Sequence, residues 1–254
     1  MPYVTVASHR IEYERIEVAR APRPTLVFLH EGLGSVAMWR DFPSRVAHAI
    51  NCNAVTCSRY GYGRSDPLAE ARTARYMHDE ALTVLPEFLD ALAIDRPILI
   101  GHSDGGSIAL IFAGSGLRPV TAVVTLAAHV MVEDVSVASI AAAKTAYETT
   151  NLRAKLARYH ADVDSAFWGW NRIWLAPDFR AWNIEEYLPR IACPVLALQG
   201  ADDEYGTMEQ MRRIGEGVRD VELLALQDCR HSAHKDQPQA VIEAITRFVD
   251  RVTP

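Results

Sequence analysis

Gly101-His102-Ser103-Asp104-Gly105-Gly106 lies between two apolar runs, Arg96-Pro97-Ile98-Leu99-Ile100 and Ser107-Ile108-Ala109-Leu110-Ile111-Phe112-Ala113. The first run has strand character and the second helix character. A strand, a sharp turn and a helix with a serine at the apex form a nucleophile elbow, G-x-S-x-G. Side chains at 101 and 105 would collide with the neighbouring strand or helix, so the glycines have a steric task. The turn strains Ser103 and holds its hydroxyl at a helix N-terminus, where negative charge is stabilised. Taken alone, the motif also occurs in loops rich in glycine and serine. Its place between strand and helix, and the partners found below, favour a catalytic reading.

A serine hydroxyl needs a base to take its proton, and the base needs a third group to orient it. Downstream, His231 lies in Gln227-Asp228-Cys229-Arg230-His231-Ser232-Ala233-His234, just after the last expected strand. It is preferred over His234, which is three residues on and would face another way. His129 and His160 fall near or within a helical insertion and rank below both. The acid is sought in Gly200-Ala201-Asp202-Asp203-Glu204-Tyr205-Gly206. Asp203 is preferred there, with Asp202 and Glu204 read as solvated or as helix caps. Glu133 or Asp134 is the second choice. An oxyanion needs donors too: the Asp104 N–H, and an N–H from Glu31-Gly32-Leu33, with Gly32 and Leu33 both open. A carboxylate at 31 is unexpected there. It points away, binds a substrate group, faces solvent or pairs with Arg59 or Arg64.

Along the chain, 3–7 and 10–18 read as an edge hairpin, and Pro22 and Pro24 as a turn. Strands are expected at 25–29, 53–57, 96–100, 120–127, 194–199 and 221–226, with 25–29 and 120–127 read as buried. Helices are expected at 36–50, 73–93 (with Pro86 as an interior kink), after Gly106, at 207–217 and at 238–251. Alternating strands and helices imply an α/β fold, a mostly parallel sheet with helices on both faces. The interval 130–188 breaks the rhythm. It is helical in pattern and holds four of the five tryptophans. It reads as a helical cap over a core of 1–129 and 189–254, with Trp168, Trp170 and Trp174 as candidate substrate contacts.

The bulk numbers narrow the class. The chain has 254 residues, 49% hydrophobic and 23% charged, with a net charge of -6, so no basic footprint points to nucleic acid. No run reaches membrane-spanning length, and no signal peptide is visible. The four cysteines, Cys52, Cys57, Cys193 and Cys229, lack metal-ligand spacing and read as reduced, mostly buried thiols of a cytoplasmic protein. Packing is the expected role of Cys229.

Across essentially its whole length the sequence resembles the α/β-hydrolase fold with a helical cap. The resemblance is carried by five motifs in order. His30-Glu31-Gly32-Leu33-Gly34 is similar to the H-G-x-G oxyanion loop. Arg59-Tyr60-Gly61-Tyr62-Gly63-Arg64-Ser65 is similar to the R-G-x-G-x-S turn. Gly101–Gly106 is the elbow, Gly200-Ala201-Asp202-Asp203 matches G-x-x-D, and Cys229-Arg230-His231 closes the set. The resemblance implies a triad of Ser103, Asp203 and His231, an oxyanion hole at Gly32 and Asp104, and no metal or organic cofactor. Two residues depart from the pattern: Glu31 separates His30 from Gly32, and Arg230 stands where a glycine is common. A serine at the elbow excludes the aspartate-nucleophile relatives. The implied partner is a small-molecule acyl substrate, a carboxylic ester or lactone. The alternatives are carbon–carbon hydrolysis of ring-cleavage diketones, perhydrolase-like or cofactor-free oxygenase chemistry, and a non-catalytic ligand-binding homologue. Diketone substrates carry carboxylates, so that reading expects a cation in the pocket; Arg153, Arg158, Arg172 and Arg180 are the cap candidates.

Overall fold

The computed structural model describes residues 1–18 and 23–253. Its eight-stranded sheet runs in the order β1-β2-β4-β3-β5-β6-β7-β8. The strands are β1 (Tyr3–Val6), β2 (His9–Ile16), β3 (Leu26–Leu29), β4 (Ala54–Cys57), β5 (Ile98–His102), β6 (Ala122–Leu126), β7 (Val195–Gly200) and β8 (Val221–Leu226). β1, β2 and β4 pair antiparallel, and every pair from β4 to β8 is parallel. β3 to β7 are buried along their whole length, which explains why their sequences are continuous apolar runs rather than alternating ones. Alternate residues still go to opposite faces. Val27, Leu29, Leu99 and Val123 join one core layer, and Leu26, Phe28, Ile98 and Val124 join the other.

Helices α1 (Phe42–Ile50), α2 (Tyr76–Asp79), α3 (Leu85–Ala91) and α4 (Asp104–Ser115) precede β6. Between β6 and β7 lie α5 (Asp134–Thr149), α6 (Leu152–Leu156), α7 (Val163–Trp174) and short turns at Pro177–Ala181 and Glu185–Arg190. This is the helical cap region, inserted where the sequence pattern breaks. The last turn rests on the core, since side chains at Gly114 and Gly217 would overlap Tyr187 and Leu188. The chain ends with α8 (Met208–Gly217), α9 (Ala233–Asp236) and α10 (Pro238–Val252).

Two expected helices are interrupted. The 36–50 stretch is a 3-10 turn, Val36–Trp39, then α1, with Arg40 between them at φ 54. The 73–93 stretch holds a π-turn, Glu80–Val84, between α2 and α3. Pro86 supplies the cause: it has no N–H, and its ring would crowd the carbonyl four residues back. The Leu85 N–H instead reaches the Glu80 carbonyl, five residues back, and the wider turn absorbs the proline. The expected Pro22 turn lies outside the described residues.

β3 and β5 are neighbours, but the chain leaves β3 towards β4 on one side and continues from β5 towards β6 on the other. The strand order therefore reverses between them, the place where open α/β sheets commonly bind ligands beyond the strands' carboxyl ends. Leu29 pairs with Gly101, so the loop after β3 and the elbow after β5 emerge side by side.

Candidate active site

Ser103 adopts φ 53 and ψ -118, a region that costs a non-glycine residue roughly 1–3 kcal/mol. The surroundings hold it there. Its N–H donates to the Leu126 carbonyl of β6 at 2.9 Å, and its own carbonyl accepts from Gly106 and Ser107 at 2.9 and 3.1 Å. A Cβ at Gly101 would overlap the Gly105 carbonyl, and one at Gly105 would overlap the Leu29 carbonyl. The elbow thus packs backbone on backbone, and only glycine fits.

Asp203 and His231, on the loops after β7 and β8, meet through a 2.8 Å hydrogen bond between Nδ1 of His231 and Oδ1 of Asp203. The same carboxylate accepts the Tyr205 N–H at 2.8 Å and Nε2 of Gln199 at 3.2 Å. Burial works against its charge, but the bond from His231 and these donors outweigh it. Its pKa lies below the usual carboxylate value. His231 rests against His102, the residue before Ser103, with ring centroids 5.0 Å apart, and its carbonyl lies 3.0 Å from His102 Nε2. Tyr205 packs on the His231 ring at 4.8 Å.

The competing residues have other partners. Glu204 accepts the His231 backbone N–H at 3.1 Å and pairs with Arg230, while Asp202 is exposed. Neither caps α8, which is capped by the Thr207 side chain. Glu133 binds Thr207 and Gln210, and Asp134 pairs with Arg180. His234 is buried against Trp39, Phe42 and His102. Cys229 is buried, and burial pushes its thiol up to about 11.

The loop after β3 is built around one carbonyl. The Arg59 N–H donates to His30 Nε2 at 3.0 Å, so His30 carries its proton on Nδ1 and donates it to the Glu31 carbonyl at 2.6 Å. Burial and then Arg59 keep this histidine's pKa well below 6.5. The same carbonyl accepts from Gly34 N–H at 3.0 Å and from Arg59 Nη2 at 3.1 Å. Because C=O and N–H point oppositely in a trans peptide, this anchoring directs the Gly32 N–H away from that cluster. The Glu31 carboxylate turns aside, towards His102 at 3.4 Å and Lys235 at 3.5 Å, rather than to Arg59 or Arg64. The Asp104 carboxylate is fully buried, accepts the Tyr76 hydroxyl at 2.7 Å and sits 3.5 Å from Arg59. Both acidic neighbours of the loop and elbow are therefore paired with cationic or hydroxyl groups.

The cap tryptophans divide. A side chain at Gly32 would overlap the Trp170 indole, so Trp170 lies directly on the loop after β3. Trp174 donates from Nε1 to the Tyr76 hydroxyl at 2.9 Å and faces His129 at 5.2 Å. Trp168 does not join them. It stacks with Arg172 and borders an outer groove of about 520 Å³ beside Leu68–Arg72. His129, ranked low as a base from the sequence, lies with its ring 5.9 Å from that of His231 and is buried, with Nδ1 unpartnered among the described residues. Burial lowers its pKa to about 4. Its position after β6, on the same sheet edge as Asp203 and His231, was the available signal. Among the described residues no group of three His, Cys, Asp or Glu side chains is arranged to hold a metal, and no helix is long and apolar enough to cross a membrane.

The family model for the alpha/beta hydrolase family matches residues 26–244. The chain belongs to the alpha/beta hydrolase family. A curated relative, protein phosphatase methylesterase 1 of Bos taurus, is 28% identical over 109 residues, which are 41% of this chain. The match spans 28% of that relative's length. Among solved structures, a carboxylesterase study of Nitrososphaera gargenis gives a TM-score of 0.79 at 20% identity, covering 99% of this chain and 98% of that one. The enol-lactonase of Burkholderia xenovorans LB400 gives 0.76 at 16% identity, covering 98% of this chain and 100% of that one. At such identities the likeness is one of fold.

Proposed function

We propose that this protein is a serine hydrolase that cleaves small, neutral carboxylic esters or lactones through an acyl-enzyme on Ser103. The observation that carries the reading is the 2.8 Å Asp203–His231 hydrogen bond on the sheet edge where the strained Ser103 turn emerges. Ser103 Oγ attacks the acyl carbonyl while His231 Nε2 takes its proton. Asp203 holds the proton on Nδ1 and stabilises the imidazolium that forms. The developing oxyanion receives the Asp104 N–H, at the start of α4, and an N–H of the 31–33 loop. His231 gives its proton to the departing alkoxide, then takes one from the water that attacks the acyl-enzyme and passes it to Ser103 Oγ as the acid leaves.

A neutral substrate is favoured over a carboxylate-bearing diketone by the cations available. Arg153, Arg158, Arg172 and Arg180 are all exposed; Arg153 and Arg180 pair with acids and Arg172 stacks on Trp168. The buried arginines near the elbow are engaged as well, Arg59 with Asp104 and Arg72 with the Tyr60 carbonyl. Trp170 over the Gly32 loop and Trp174 beside His129 would offer aromatic contacts to an apolar acyl group. A fluorophosphonate probe tests the chemistry: the folded wild-type protein is expected to label and Ser103→Ala not to. Equal labelling of the two, or none of the wild type, defeats the reading. Matched neutral and carboxylate-bearing esters test the selectivity, with the neutral one expected to have the higher kcat/KM.

A further inference from the structure

His160 joins the cap to two core loops at once. It lies between α6 and α7, it is buried, and both ring nitrogens are engaged. The Gly63 N–H donates to Nδ1 at 3.0 Å. A backbone amide can only donate, so Nδ1 is unprotonated and the proton resides on Nε2. Nε2 lies 3.0 Å from the Leu33 carbonyl, to which it donates. The next residue repeats the grip, since the Ala161 N–H donates to the Gly63 carbonyl at 2.7 Å. Gly63 is held at φ 59, where a Cβ would overlap Ser58, so the anchor point is itself rigid.

The Leu33 carbonyl belongs to the loop assigned above to the oxyanion. On its first peptide, three core donors hold the Glu31 carbonyl. On its last peptide, the Gly34 N–H points to Glu31 and the Leu33 carbonyl to His160. The peptide between residues 32 and 33, which carries the Leu33 N–H, is flanked by two held peptides: the core holds the first, and the second is held by the Gly34 N–H on the core side and by His160 on the cap side. Without His160 the second peptide rests on the Gly34–Glu31 contact alone and has more room to tilt, and a donor aimed at a developing charge works only when its direction is set beforehand.

We propose that His160 is a positioning residue for the oxyanion loop, through which the cap sets the orientation of the loop's N–H donors. This rests on the serine-hydrolase reading. Two substitutions separate that role from a plain strut. His160→Asn places an amide at the level of Nδ1, keeping an acceptor for Gly63 and losing the donor to Leu33. His160→Gln places an amide at the level of Nε2 and keeps that donor. The Asn variant is expected to lose about tenfold in kcat, with KM within about twofold and thermal stability little changed; direct loss of an oxyanion donor costs about 10²–10³. Its fluorophosphonate labelling rate should fall by a similar factor. The Gln variant should stay within about threefold of wild-type kcat, given a retained donor. A wild-type kcat in Asn, a change confined to KM, or a Gln variant with that tenfold loss overturns the proposal. If the Asn variant does not fold, His160→Phe, which also removes the donor to Leu33, takes its place under the same criteria. The failures are separable: labelling of Ser103→Ala would defeat the serine reading, whereas serine-dependent labelling with an unaffected Asn variant defeats only His160.

Discussion

Asp203 and Asp202 are adjacent carboxylates with opposite surroundings. Asp203 is enclosed and bonded to His231, and Asp202 is exposed. Asp203→Asn would present an amide that forces the wrong imidazole tautomer, and kcat is expected to fall by on the order of 10⁴. Asp202→Asn should be near neutral in the same ester assay. Comparable losses would move the acid elsewhere. The histidines differ in the same way. His231→Ala should be as damaging to turnover as Ser103→Ala. His234→Ala should retain its kcat per folded molecule, yet lower the melting temperature, because it empties a space between Trp39 and Phe42. The choice of Asp203 and His231 was legible in the sequence because both follow expected strands on one sheet edge. That Glu204 grips the His231 backbone was not, because the contact joins two loops 27 residues apart.

The loop after β3 and helix α7 meet where Trp170 covers Gly32. A methyl group at 32 would overlap the indole, a rigid side chain that can yield only by moving α7 or its own rotamer. Gly32→Ala is therefore expected to cost at least about tenfold in kcat/KM, against the 10²–10³ of a lost oxyanion donor, and to change the tryptophan emission. Pairing it with Trp170→Leu should recover part of the loss. If the two losses simply add, the elements are not coupled there. The amphipathic pattern of 163–174 announced a helix but not its rotation about its axis. Trp168, Trp170 and Trp174 were equal candidates in sequence. Packing of α7 on the core turned the first outward and the other two towards the elbow and its supports.

Six buried histidines run through the whole molecule: His30, His78, His102, His129, His160 and His234. In each, burial is the leading cause of a lowered pKa. The unfolded chain binds protons at these rings near pH 6.5. The folded chain resists until lower pH, so the unfolded state holds more protons in between and stability falls with pH. Stability is expected to be full above about pH 6.5 and to decline towards pH 4, where His129 titrates. His129 alone contributes on the order of 3 kcal/mol across that window. Glu80, pushed up by burial, offsets part of the loss. Urea midpoints measured from pH 8 to pH 4 check the trend, and a flat profile contradicts it. His129→Phe should make the slope shallower.

The fold, the strained turn at Ser103, the placing of Asp203 and His231 on one sheet edge and the glycine loop after β3 were readable in the chain. Each rests on a local constraint: continuous apolar runs for buried strands, glycines where backbones touch, and loops at strand ends. The direction of Glu31, the partners of Asp104, the entry of His129 into the site and the grip of His160 on Leu33 came only with the packed molecule. They depend on side chains that are remote in sequence and brought together by tertiary packing, by the cap only for His160, and no local pattern encodes which way such a side chain will face.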